Sequence, residues 1–143
     1  MIKAKSATNL QPVFFEWDGK FKVQIKDVKM ATRQALIKAN EETTFDKKHR
    51  KTTDLDWLRF GKAFMREAIA GWTGMTYGYL LEICRPIDLD PGVKLADPIE
   101  FTEENFQFVL DNYRPDFSLF VNHAVDRLDE IYTEQKKKEL ENL

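Results

Sequence analysis

Hydrophobic and polar positions divide this chain into segments of two periods. Over residues 20–26 they alternate, with Phe21, Val23 and Ile25 on one face and Lys20, Lys22, Gln24 and Lys26 on the other, the period of a half-buried strand. A second β-prone run, Val13-Phe14-Phe15-Glu16-Trp17, precedes it across Asp18-Gly19. Two such runs around Asp-Gly predict a hairpin. A two-residue turn at Asp18-Gly19 would pair Trp17 with Lys20 and Phe15 with Lys22, splitting the apolar residues between faces. A three-residue loop Trp17-Asp18-Gly19, with Gly19 left-handed in a bulge, pairs Phe15 with Phe21 and Val13 with Val23. That aligns Val13, Phe15, Phe21, Val23 and Ile25, and it is the register expected here.

The helical period takes over downstream. Asp27 opens a helix with its body at 30–40, in which Met30, Ile37 and Leu36 face inward. Residues 41–51 hold Lys47, Lys48, His49, Arg50 and Lys51 without apolar periodicity and read as a solvated connection. Thr53 then N-caps a helix with acids in its first turn. Its apolar face runs through Leu55, Leu58, Phe60, Phe64, Met65, Ala68, Ile69 and Trp72, which makes it the central helix, and Gly71 and Gly74 end it.

Residues 76–83 fit two patterns. Tyr77, Tyr79, Leu81 and Ile83 alternate like a strand, whereas Leu80, Ile83 and Cys84 fit a short helix, the preferred expectation. Residues 85–98 carry three prolines and a Pro91-Gly92 turn signal and read as a long loop. Thr102 N-caps the next helix, with Phe101 and Phe106 at the spacing of a hydrophobic staple and Phe106, Val109, Leu110 and Tyr113 as its buried stripe. Pro115 starts a last helix with the stripe Phe117, Phe120, Val121, Ala124, Leu128, Ile131 and Tyr132. Residues 1–10 read as a loose lead-in and 134–143 as a fraying tail. The expectation is one α+β domain over 1–143, mainly helical: an N-terminal hairpin and about four to five packed helices.

Composition adds limits. A chain of 143 residues with 43% hydrophobic and 13% aromatic residues can build a core without disulfides or metal. A net charge of −2 gives no global attraction to phosphate, so a nucleic-acid partner is not expected. The single cysteine, Cys84, excludes an internal disulfide and fits a reduced, cytoplasmic setting. No apolar run reaches the roughly 18 residues of a membrane span, and the first eleven residues lack the apolar stretch of a signal peptide.

No constellation reads as catalytic. His49 and His123 have no second ligand at metal spacing, Gly71, Gly74 and Gly78 do not form a phosphate loop, and Asp88, Asp90, Asp97 and Glu100 lack calcium-loop spacing. Ser6 and Ser118 have no activating His-Asp arrangement. No enzyme, cofactor or metal is expected. Phe14, Trp17, Trp57, Tyr77 and Tyr79 fall off the main stripes, and exposed apolar patches on small proteins mark protein-binding surfaces.

The motif Gly71-Trp72-Thr73-Gly74-Met75, followed by Pro98-Ile99-Glu100-Phe101-Thr102-Glu103-Glu104-Asn105, then Val109-Leu110 and the helix after Pro115, resembles the tail assembly chaperones of tailed phages and prophages. The similarity spans residues 68–127. In that family a Trp-x-Gly-aliphatic element closes a central helix and a capping element opens two further helices. The loop between Met75 and Ile99 is longer here and begins with the apolar segment 77–83. The resemblance implies a protein that shields an aggregation-prone tail component, such as the tape-measure or tail tube protein, through Trp57, Tyr77, Tyr79 and Leu80. A structural virion component and a nucleic-acid-binding regulator are the alternatives.

Overall fold

A computed structural model describes residues 1–7 and 10–143. The lead-in expected over 1–10 therefore lies partly outside the described residues. Strands β1 (Val13–Asp18) and β2 (Phe21–Ile25) form the expected N-terminal hairpin. Its register differs from the expectation. Phe15 pairs with Val23 and Val13 with Ile25, Gly19 and Lys20 make a two-residue loop, and Trp17 is the extra residue of a bulge between Glu16 and Asp18. Gly19 has φ 54° at the first loop position, the glycine position of a type II′ turn. The slip is two residues, so the predicted face survives. Phe21, Val23 and Ile25 are fully buried, while Trp17 sets its ring edge-on to Phe117 and Phe120 at 5.7 and 5.3 Å.

Helix α1 (Met30–Ala39) follows, but none of its residues is buried. Met30 and Ile37, expected inside, are exposed, and Leu36 is half-buried. The basic connection is not a plain loop either. β3 (Glu41–Phe45) and β4 (Lys51–Leu55) pair as a second hairpin, Thr43 opposite Thr53 and Thr44 opposite Thr52. Threonine's branched β-carbon favours the extended backbone, a signal that apolar periodicity does not carry. The turn is built by Asp46, whose Oδ1 accepts from the backbone N–H groups of Lys48 and Arg50 at 2.8 Å while Arg50 Nε donates to Oδ2.

Thr53 thus lies in a strand, and the cap of α2 (Trp57–Ala68) is Asp56, which accepts from the N–H of Arg59. The helix is central as expected, in contact with α1 and with the two helices over Glu103–Asn112 and Pro115–Glu141. It stops at Ala68, short of the expectation. Ile69, Gly71 and Trp72 belong to β5 (Ile69–Thr73), which adds to β2 and completes a three-stranded antiparallel sheet, β1-β2-β5. The reason is the open edge of β2. A two-stranded hairpin is marginal in water, and a β-prone run one residue past a helix end satisfies it. Gly74 turns the chain out of β5 with φ 70°, and a Cβ there would sit 1.9 Å from the Lys20 carbonyl oxygen. The hairpin loop and the end of β5 meet backbone to backbone.

Helix α3 (Tyr77–Ile83), capped by Thr76, realises the helical alternative for this segment. The long loop to Pro98 is fastened over its first turn: Leu95 O accepts from Gly78 N–H at 2.9 Å and Met75 O from Ile99 N–H at 2.9 Å. Helix α4 (Glu103–Asn112) has the expected Thr102 cap and staple, with the Phe101 and Phe106 rings 5.1 Å apart. Trp72 meets both rings edge-on and donates from Nε1 to the Ile99 carbonyl at 2.9 Å. Helix α5 (Pro115–Glu141) starts on Pro115 and buries Phe117, Val121, Ala124, Val125 and Leu128. Residues 134–141, expected to fray, continue the helix with their side chains exposed. The whole is an α+β fold, mainly helical, with five helices among the described residues.

Candidate protein-binding groove

The anticipated protein-binding residues do not form one surface. Trp57 stands at the first turn of α2, 72% exposed, its ring edge-on to Phe60 at 6.2 Å. Leu58 beside it is equally open. Leu80 is only 6% exposed and belongs to the core with Ile83 of the same helix, and it reaches the surface only at the bottom of a cleft. Tyr79 is half-buried, its ring 5.3 Å from that of Phe21. Tyr77 is half-buried too, but it opens onto a cleft.

That cleft, about 830 Å³, lies between α3, the long loop and α4. Its floor is apolar: Tyr77, Ile87, Leu89, Val93, Ile99 and Phe108. The fold makes this floor by fastening the loop over α3, which lines up single apolar residues that have no periodicity in sequence. Phe108 is on the outward side of α4, away from the stripe Phe106, Val109 and Leu110, and stays exposed. An outward Phe on a short helix was the available sequence signal; the loop aliphatics offered none.

The rim is acidic. Asp88, Asp90, Glu103, Glu104 and Asp111 border the cleft, and no lysine or arginine lines it. Two of these carboxylates are neutralised from α2. Lys62 donates to Asp111, which also accepts from Gln107 and is held below the usual carboxylate range by these bonds. Arg66 bonds Glu103 at 2.7 Å with its guanidinium 5.3 Å from the Phe106 ring centre. Asp88, Asp90 and Glu104 make no ion pair among the described residues.

Groups with chemical reactivity lie elsewhere. Cys84 is fully buried, and burial pushes its thiol up to about 11, so at neutral pH it is protonated and weakly nucleophilic. His49 sits at φ 61° in the β3–β4 turn and His123 is exposed on α5. Among the described residues no three His, Cys, Asp or Glu side chains gather as metal ligands, and no helix is long and apolar enough to cross a membrane. An open apolar floor with polar walls can take up apolar groups, whether of a small molecule or of another polypeptide.

Comparison with family models, with curated proteins and with solved structures finds no match to this chain.

Proposed function

We propose that this chain is a phage or prophage tail assembly protein, a binding protein and not an enzyme, which shields an apolar segment of a tail component such as the tape-measure protein in the host cytoplasm. The observation that carries the reading is the apolar-floored groove between α3 and α4, which lies within the stretch whose motifs resemble the tail assembly chaperones. Tyr77 and Phe108 supply aromatic area in it, and aromatic anchors commonly contribute a few kcal/mol at an interface. Trp57 and Leu58 offer a second apolar contact on α2.

Co-expression with a tagged tape-measure protein tests this. Wild type should co-purify with it. Tyr77→Ala with Phe108→Ala should leave the melting temperature within a few degrees and reduce capture at least about tenfold, the loss of roughly 1.4 kcal/mol. Undiminished capture by the folded double variant would remove the groove from the reading. Absence of capture, with the protein present in purified particles, would favour a structural virion component.

A further inference from the structure

The β3–β4 hairpin is an arm without a resting place. Every residue from Glu41 to Asp54 is exposed, and the strands pack chiefly on each other. Two strands alone are marginal in water, so an arm of this kind is costly to keep ordered unless it meets another surface. Its tip carries four basic side chains, Lys47, Lys48, Arg50 and Lys51, against one carboxylate, Asp46. Phe45, opposite Lys51 at the far end of the ladder, is 68% exposed.

The groove is the counterpart of this tip. It has an apolar floor and three carboxylates without ion pairs, Asp88, Asp90 and Glu104. No arm residue lines the groove of its own chain. We infer that the arm docks into the groove of a second copy of this chain, Phe45 on the apolar floor and Lys47, Lys48 and Lys51 against the acidic rim. Arm and groove are different surfaces, so the contact is either exchanged reciprocally across a two-fold axis or repeated head to tail into rings or open chains. A groove filled by a neighbour's arm is closed to other ligands, so a tail component would have to displace it. The inference takes its groove from the functional reading above but does not depend on the identity of the partner.

Charge exchange on the full chain tests it, read by sedimentation velocity from about 5 to 200 µM in about 50 mM salt and again in about 500 mM, where surface charges are screened. Wild type should grow with concentration at low salt and associate more weakly at high salt. Lys47→Glu with Lys48→Glu and Lys51→Glu places an acidic arm beside an acidic groove. Asp88→Lys with Asp90→Lys and Glu104→Lys places a basic groove beside a basic arm. Each variant alone should associate at least about tenfold more weakly, and Phe45→Ala should weaken association without altering its salt dependence. Mixing the two charge variants should restore association, because each arm then meets a groove of opposite sign. Wild type that stays monomeric throughout, variants that associate as tightly as wild type, or a mixture that stays dissociated would each overturn the proposal. Capture of the tape-measure protein by a monomeric wild type would overturn it while leaving the functional reading intact.

Discussion

The two hairpins of this protein are nearly the same object in backbone terms and opposite in fate. β1–β2 and β3–β4 are both antiparallel ladders of five or six residues per strand, closed by tight turns. The first places Phe21, Val23 and Ile25 on one face and disappears into the core; the second has threonines and charges in those places and stands in solvent. Turn chemistry and β-propensity suffice to fold a chain back on itself, whereas alternation of apolar residues decides whether the ladder is buried. The difference also separates two kinds of stability. One hairpin is held by neighbours, the other by its turn.

The sharpest break should come where the buried hairpin is locked to its third strand. Gly74→Ala puts a methyl group against the Lys20 carbonyl in a backbone conformation that disfavours any side chain. A loss of at least about 3 kcal/mol is expected by urea denaturation, and a near-wild-type midpoint would show that the loop and β5 are not in contact. Equivalent truncations in the two hairpins should then diverge. Phe21→Ala, at a fully buried position, should cost about 3–5 kcal/mol, while Phe45→Ala should stay within about 0.5 kcal/mol. Equal effects on the unfolding free energy of the monomer would erase the distinction.

The smallest global effect belongs to the turn of the arm. Asp46→Ala removes the acceptor of two backbone N–H groups. Faster amide exchange at Thr43 and Thr53 is expected with an unchanged melting temperature. The Asp46 carboxyl is held below its ordinary value chiefly by the Arg50 backbone N–H, with the Arg50 side chain and the Lys48 N–H contributing. A lowered folded-state pKa means that its stabilisation is present at neutral pH and is lost as pH falls through that lowered value. Acidification should therefore loosen the arm on this account, and Asp46→Ala should abolish that part of the pH dependence.

Much of the fold was legible where apolar periodicity and local capping agree. Thr102 with Phe101 and Phe106, Pro115 at the start of α5, and the buried face of β2 all follow from residues within one or two turns of each other. What the sequence concealed was non-local or polar. Ile69 and Trp72 recur three apart and so extend the helical stripe of α2, yet the free edge of β2, more than forty residues earlier, draws them into a strand. Gly71, a poor helix residue in a run that also holds the β-prone Ile69, Trp72 and Thr73, was the local hint. The arm is invisible to apolar periodicity because its paired threonines, Thr43 with Thr53 and Thr44 with Thr52, carry no hydrophobic pattern. Of the anticipated binding residues, Tyr77 and Leu80 line the groove, Leu80 from the core because α3 turns it inward, and Trp57 is exposed elsewhere. The groove's remaining floor came from loop residues whose proximity only the fastened chain creates.

The arm leaves and rejoins the domain through a single gate. Asp56 N–H donates to the Asn40 carbonyl at 2.8 Å, and Asn40, a buried polar residue, ties its own amide to Leu36 O at 2.7 Å. Everything between these two residues is topologically an insertion whose ends already touch. Lengthening such an excursion costs little chain entropy, about 0.6 kcal/mol per doubling. This gate is accordingly the place where the chain can gain, lose or exchange a recognition element in evolution, or accept a grafted one in the laboratory, while the three-stranded sheet and the long C-terminal helix go on folding as before.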